Sequence, residues 1–137
     1  ETYHTDLVLE RLEQALHCGA DIISLSDTTG QGSTERVVEL CSLMKLHSAV
    51  PWGAHMHSTY EEAAEKALAA VGAGCERIDT ALKGYGGCPF ASDQLMGNMP
   101  TEKVLSALTH ANLPHALHPL QIERAYNSAL QVLGSYS

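Results

Sequence analysis

Two histidines separated by one residue are the first feature of this sequence that could do chemistry. His55 and His57 end a β-prone segment that begins near residue 50, and side chains at positions i and i+2 of a strand project from the same face. Two imidazoles on one face can share a divalent ion, which oxygen ligands would bias toward Mg²⁺ or Mn²⁺. The alternative is a pair of core histidines that only form hydrogen bonds. Their place at a strand end favours the metal interpretation.

A second polar cluster begins at Asp27, where the sequence Asp-Thr-Thr-Gly follows the β-branched run 21–26. Strand alternation places Asp27 on the same side as Ile23 and Leu25, so we expect its carboxylate to point inward. The alternative is a turn that ends the strand and caps the next helix.

The third cluster is a long glycine-rich segment that contains Gly84-Tyr-Gly-Gly-Cys-Pro89 and, after it, Gly97-Asn-Met-Pro-Thr-Glu102. Glycines allow the backbone to approach a ligand closely or to act as a hinge. Cys88 on such a loop would be exposed, where the acidity of its thiol can be tuned for proton transfer. Taken alone, the segment is equally typical of an ordinary loop with an incidental thiol.

Alternating helices and strands are expected to bring these clusters together. The periodicity predicts strands at 21–26, 50–57 and 75–82, and helices at 5–17, from Ser33, up to about 71, from Thr101 and from Pro119. The predicted helix caps are Thr5 or Asp6 and two capping boxes, Ser58 with Glu61 and Thr59 with Glu62. This order indicates an α/β fold with a parallel sheet, either doubly wound or a (β/α)₈ barrel. A full barrel takes roughly 250 residues, so this chain of 137 residues with three predicted strands indicates part of one, about three of its eight units.

The composition excludes several classes of function. The net charge is −8 and the basic residues are scattered, which disfavours nucleic-acid binding. No apolar run approaches the ~18 to 20 residues of a membrane span, so we expect no membrane partner. The four cysteines form no CxxC pair, which favours a reducing compartment. We expect the cytoplasm, or the mitochondrial matrix in a eukaryote.

The order of four motifs resembles the 3-hydroxy-3-methylglutaryl-CoA lyase family. These motifs are Ser-Leu-Ser-Asp-Thr-Thr-Gly (24–30), His-Met-His-Ser-Thr (55–59), Gly-Gly-Cys-Pro (86–89) and Gly-Asn-Met-Pro-Thr-Glu (97–102). The resemblance implies that residues 1–137 form the C-terminal part of a single TIM (β/α)₈-barrel domain, its last three β/α units plus a C-terminal helix. It also implies metal-dependent cleavage of 3-hydroxy-3-methylglutaryl-CoA into acetyl-CoA and acetoacetate, a step of leucine catabolism and ketone-body formation.

The resemblance further implies a role for each matching residue. His55, His57 and Asn98 would be the metal ligands. Cys88 and His55 would transfer protons, with support from Asp27. Gly86, Gly87 and Thr59 would bind the substrate, and Glu102 would hold the loop in place. The implied cofactor is Mg²⁺ or Mn²⁺, and the implied partner is an acyl-CoA substrate.

The sequence also departs from the family pattern. Ser58 stands where the family usually has an aspartate, and a serine cannot supply a carboxylate to orient the histidines. Lys83 replaces a small residue and is either a solvated lysine or a contact to an acidic substrate.

No segment matches the first barrel strand, where the family carries a further aspartate ligand and an arginine. We therefore expect this chain to expose an apolar interior face and to need a missing N-terminal half or a homo-oligomer for activity. The alternatives are an acyl-CoA condensing synthase of the same superfamily and a non-catalytic interaction module.

Overall fold

The computed structural model describes residues 4–87 and 96–133 as helices alternating with short strands. The elements are α1 (Thr5–His17), β1 (Ile23–Asp27), α2 (Thr34–His47), β2 (Trp52–Ser58), α3 (Ala63–Gly72), β3 (Ile78–Asp79), a 3₁₀ turn (Leu82–Gly84), β4 (Gly97–Asn98), α4 (Thr101–His110) and α5 (Pro119–Leu133). The α/β class is confirmed, and so are the helices that were predicted to begin at Ser33, Thr101 and Pro119. None of the helices in these two ranges is long and apolar enough to cross a membrane.

The strands β1, β2 and β3 form a parallel sheet in that order. Ser26 pairs with His55, and His55 pairs in turn with Asp79 on the other side. The short strand β4 runs antiparallel to the end of β2, so that Asn98 lies opposite His57. The sequence predicted this region only as part of a long loop, and β4 was therefore missed.

The N-termini of the first two helices differ in how they are capped. Ser33 precedes α2, which was predicted to begin there, and its hydroxyl accepts a hydrogen bond from the backbone N–H of Arg36 at 3.3 Å. The cap predicted for α1 is wrong, because His4 occupies the N-cap position without a side-chain hydrogen bond. Thr5 is already helical, and its hydroxyl donates instead to a carboxylate oxygen of Glu39 at 2.8 Å.

Neither of the two capping boxes predicted before α3 caps the helix, which begins only at Ala63. Half of the second box is present, because the Thr59 hydroxyl accepts from the backbone N–H of Glu62 at 3.3 Å, but it lies in the turn before the helix. Ser58 remains part of β2 and is buried, and its hydroxyl is a buried side-chain group without a hydrogen-bond partner in the part of the chain described.

The third strand is much shorter than the predicted segment 75–82. After Asp79 the chain turns toward the segment that leads into α4, where the Ala81 N–H donates to Met99 O at 3.0 Å. The Ala81 carbonyl accepts from Thr101 N–H at 2.9 Å. Because these bonds occupy both backbone groups of Ala81, β3 cannot continue beside β2.

The sheet has two faces of opposite character. The helix-covered face carries Leu25, Ala54, Met56 and Ile78, which pack against buried residues of α2 and α3 such as Val37, Cys41 and Ala67. The open face, defined by alternation and register, carries Ser24, Ser26, Gly53, His55, His57, Arg77 and Asp79. The expectation of an apolar interior face is therefore wrong, because the described side chains on the open face are polar or absent.

Candidate metal site

The ring of His57 is held by a backbone carbonyl from the turn after β1. Its Nδ1 lies 2.8 Å from Thr28 O, and the residue is only 6% exposed. Because a carbonyl can only accept, Nδ1 carries the proton and Nε2 keeps its lone pair. This is the arrangement found for imidazoles that bind metal ions, where the second nitrogen donates to a carbonyl or a carboxylate.

The ring of His55 lies on the same face, with its centroid 5.3 Å from that of His57 and an angle of 73° between the planes. Its Nδ1 is 3.5 Å from Oδ2 of Asp79, and its side chain is 40% exposed. Metal–nitrogen bonds are about 2.0–2.1 Å long, so two rings at this separation can reach one ion.

The carboxamide of Asn98 is oriented by the glycine-rich segment. Its Nδ2 donates to Tyr85 O at 2.9 Å and to Gly86 O at 2.8 Å. Both amide protons are thus used by the backbone, and Oδ1 is an acceptor for which the described residues supply no hydrogen bond. Directly opposed residues of an antiparallel pair project to the same side. Asn98 is opposite His57, so the two side chains lie on the same side of the strand pair.

Gly86 makes this arrangement of Asn98 possible. Its φ of +94° is a left-handed conformation that favours glycine, and a Cβ there would lie 2.8 Å from Asn98 Nδ2. The binding of substrate by this glycine stays a prediction. In the structure, Gly86 leaves the space that the Asn98 amide occupies.

The three side chains are of types that bind divalent ions, and they lie on the same side of the sheet. Two imidazole nitrogens, which keep their lone pairs in the neutral rings, and one amide oxygen would form a mixed nitrogen and oxygen set, which suits Mn²⁺ and accommodates Mg²⁺. Within residues 4–87 and 96–133, no three His, Cys, Asp or Glu side chains form a complete metal shell. The set is therefore partial, and further ligands have to come from water or from other protein segments.

Asp27 lies on the other side of the sheet from His55. The prediction that it shares a face with Ile23 and Leu25 is confirmed by their alternating burial, but that face is covered by helices. Its carboxylate accepts from Gly30 N–H at 3.0 Å and from Gly32 N–H at 2.9 Å. Asp27 thus shapes the turn that supplies the Thr28 carbonyl, and it does not point toward the histidines.

The remaining predicted residues surround the glycine-rich segment. Glu102 accepts a hydrogen bond from the backbone N–H of Lys83 at 3.1 Å and so holds the start of this segment. Lys83 itself is exposed and has a φ of +57°. Cys88 lies outside the described residues, as does Pro89. Gly87 is exposed, and Thr59 lies in the turn before α3.

Sequence reasoning missed two charged residues of the site, Lys66 and Asp79. Lys66 is 3% exposed, and its ammonium group donates to Gly30 O at 3.0 Å and pairs with Glu62 at 3.2 Å. It fixes the same turn as Asp27 from the helix side. Asp79 was missed because the third strand was predicted to run over residues 75–82, which placed Asp79 in its middle. The observed strand β3 ends at Asp79, and functional groups gather at the carboxyl ends of parallel strands.

Comparison with known proteins identifies the family. The HMGL-like family matches residues 2–128, and the chain belongs to that family. The motif resemblance to 3-hydroxy-3-methylglutaryl-CoA lyases is thereby confirmed.

Individual relatives add detail. The (R)-citramalyl-CoA lyase of Chloroflexus aurantiacus is 34% identical over 103 residues, which cover 74% of this chain and 32% of that protein. The human cytoplasmic 3-hydroxy-3-methylglutaryl-CoA lyase is 39% identical over 97 residues, covering 66% and 25%. The crystal structure of the HMG-CoA lyase from Brucella melitensis superposes with a TM-score of 0.78 at 25% identity, covering 93% of this chain and 44% of that one. The chain thus spans less than half of each of these relatives.

Proposed function

We propose that the protein to which this chain belongs is a divalent-metal-dependent lyase. It cleaves 3-hydroxy-3-methylglutaryl-CoA into acetyl-CoA and acetoacetate by retro-Claisen breakage of a C–C bond. What supports the proposal is that His55 and His57 lie side by side with Asn98 opposite His57, each of the three with a side-chain atom hydrogen-bonded or paired. The names of the relatives support the choice of substrate class.

The described residues would hold the ion and orient the substrate around it. His55 and His57 would bind through Nε2, and Asn98 through Oδ1. A bound Mg²⁺ or Mn²⁺ supplies Lewis acidity at the hydroxyl and a neighbouring oxygen of the substrate. Because His57 is buried and held by the backbone, we assign it to ligation alone.

Two proton transfers are needed besides ligation. The substrate hydroxyl must lose a proton before the C–C bond breaks, and the thioester enolate that leaves must gain one. We assign the first to His55 together with the Asp79 carboxylate, which lies 3.5 Å from His55 Nδ1 and could take up the proton. We assign the second to Cys88 on the glycine-rich segment. Gly86 and Gly87 would let that segment approach the acyl-CoA, and Thr59 would contact the substrate from the turn after β2.

We further propose that residues 1–137 are the C-terminal part of a TIM (β/α)₈ barrel. The parallel order β1-β2-β3, the polar open face and the partial metal set all agree with a barrel whose remaining strands lie elsewhere. On this proposal the 137-residue chain alone is inactive, and activity requires an N-terminal half or assembly with further copies. The cytoplasmic or mitochondrial location stays a prediction.

A second candidate function is the cleavage of citramalyl-CoA, which is also a lyase reaction on an acyl-CoA. The similarity to the (R)-citramalyl-CoA lyase of Chloroflexus aurantiacus favours it. An acyl-CoA condensing synthase would use the same histidine pair but would form the C–C bond from acetyl-CoA and a 2-oxo acid.

One assay of the full-length protein separates these activities. The protein is stripped with a chelator, reloaded with Mn²⁺ or Mg²⁺, and given 3-hydroxy-3-methylglutaryl-CoA, citramalyl-CoA, or acetyl-CoA with a 2-oxo acid. We expect metal-dependent release of acetyl-CoA and acetoacetate from the first substrate. Cleavage of citramalyl-CoA alone would move the assignment to that substrate, condensation alone would show a synthase, and no turnover in any arm would favour a non-catalytic module.

A further inference from the structure

Arg77 crosses the open face of the sheet below the histidines. Its Nε lies 3.2 Å from Oδ1 of Asp79, two residues further along β3. Its Nη2 donates to the hydroxyl of Ser24 on β1. The guanidinium therefore spans from β3 to β1 over the intervening strand β2.

This crossing depends on Gly53, the residue of β2 over which the arginine passes. A Cβ at this position would lie 2.7 Å from the backbone carbonyl oxygen of Arg77, 2.8 Å from its Nε and 3.0 Å from its Cβ. Side chains do not approach so closely, so any larger residue at position 53 would displace the arginine. Gly53 has no left-handed φ, and the close approach is therefore the reason for a glycine here.

Asp79 connects the arginine to His55. One carboxylate oxygen pairs with Arg77, and the other lies 3.5 Å from His55 Nδ1. At this distance the contact is longer than an ordinary hydrogen bond, but a carboxylate facing Nδ1 favours the proton on that nitrogen, which in the neutral ring leaves the lone pair on Nε2.

The two histidines are thus oriented in different ways. His57 is held by the backbone carbonyl of Thr28, whereas His55 depends on a side chain that can rotate. The side chains of Arg77 and Asp79 are 44% and 38% exposed, and exposed pairs of this kind contribute only about 0–1 kcal/mol to stability. Their arrangement across three strands therefore matters for orientation more than for folding.

We propose that Arg77 and Asp79 are positioning residues for His55, and that Gly53 is required because the arginine must cross β2 to hold the aspartate. This inference rests on the proposed function where it concerns metal binding. Groups that orient a metal-ligating histidine typically change metal affinity or activity by about 10- to 100-fold when they are removed.

The test uses the full-length protein with the variants Asp79→Asn, Arg77→Met, Arg77→Lys and Gly53→Ala. Arg11→Met is the matched control, because Arg11 also pairs with a carboxylate, that of Glu10, but on the exposed surface of α1. The first readout is the Kd for Mn²⁺ by calorimetric titration. The second is the protonation site of the His55 ring in the metal-free protein, observed by ¹H–¹⁵N correlation spectra at a pH where the ring is neutral.

We expect Asp79→Asn and Arg77→Met to weaken Mn²⁺ binding by about 10-fold or more. In the spectra of both variants, the proton of His55 should no longer be confined to Nδ1, while His57 is unchanged. Arg77→Lys should restore part of the loss, and Arg11→Met should match the wild type. Gly53→Ala should weaken Mn²⁺ binding at least as much as Arg77→Met, since its Cβ would displace both the side chain and the backbone carbonyl of Arg77.

Failure of this inference can be told from failure of the proposed function. If the wild type binds no Mn²⁺, the proposed function fails, and the spectra of the metal-free protein still decide the inference. Unchanged His55 spectra in Asp79→Asn and Arg77→Met overturn it, as does a Kd within twofold of the wild type. If Gly53→Ala does not fold, the arginine and aspartate variants decide the matter alone.

Discussion

The two faces of the sheet in this protein are built for different purposes. The helix-covered face contains small and medium apolar side chains such as Ala54 and Met56, which are almost fully buried. The open face places histidine, aspartate, arginine and serine side chains across the same three strands. Alternation along β2 is what separates them, because each residue that packs against the helices is followed by one that faces away.

The comparison shows where stability and chemistry reside. Burial of apolar area stabilises the fold in proportion to the area removed from water, at about 25 cal/mol per Å². The exposed polar side chains of the open face gain little stability, yet they orient the His55 ring, while the Thr28 carbonyl holds the ring of His57. Substitutions on one face should therefore change folding with little effect on metal binding, and substitutions on the other should do the reverse.

The largest effect is expected from His57→Ala on the open face. The substitution removes a ligand whose orientation is set by Thr28 O, so the Mn²⁺ affinity of the full-length protein should fall by more than about 100-fold, beyond the loss typical of an orienting group. Calorimetric titration measures it. His47→Ala, which changes an exposed histidine of α2, is the control. Unaltered Mn²⁺ affinity in His57→Ala would remove this residue from the metal site.

The next largest effect is expected from Met56→Ala on the helix-covered face. Met56 is 3% exposed and packs within the main apolar cluster, and truncation of a buried methionine costs about 2–5 kcal/mol. Urea unfolding should show this loss of stability. The Mn²⁺ affinity of the folded variant should stay within about threefold of the wild type, and a larger change would mean that the two faces are coupled.

A smaller effect is expected from Gly86→Ala. The added Cβ would meet the Asn98 amide at 2.8 Å, and the residue would also have to adopt a φ of +94°. We expect a loss of Mn²⁺ affinity of about 10-fold, comparable to the removal of an orienting group. Gly72→Ala serves as the control, because a Cβ there meets no atom within 4 Å. Equal Mn²⁺ affinities for the two variants would show that Gly86 does not position Asn98.

Much of the fold was predictable from sequence because its signals are local. The spacing of apolar residues and the position of Ser33 gave α2, and the proline at position 119 marked the start of α5. The strand β4 was not predictable in this way. It has two residues, and its pairing with β2 depends on contacts between segments about 40 positions apart.

The site was predictable where residue type and strand alternation suffice, as for His55 and His57. It was not predictable where a tertiary contact decides the role of a side chain. Alternation correctly placed Asp27 on the same face as Ile23 and Leu25. It does not reveal which face the helices cover, so the prediction that Asp27 points inward was not enough to place it near the histidines. Asp79 and Lys66 acquire their roles from partners on other elements, His55 and Gly30.

The smallest effect is expected from Ser58→Ala, at the end of β2 where the family usually has an aspartate. The buried Ser58 hydroxyl is without a partner among the described residues, and an unsatisfied buried polar group costs about 1–3 kcal/mol. Removing it should therefore raise the free energy of unfolding by about 1 kcal/mol. Ser33→Ala provides a control of opposite sign, because it removes the cap of α2 and should lower the same quantity by about 1 kcal/mol. If Ser58→Ala were also destabilising, the hydroxyl would have a partner, and the end of β2 would contribute to holding the histidines.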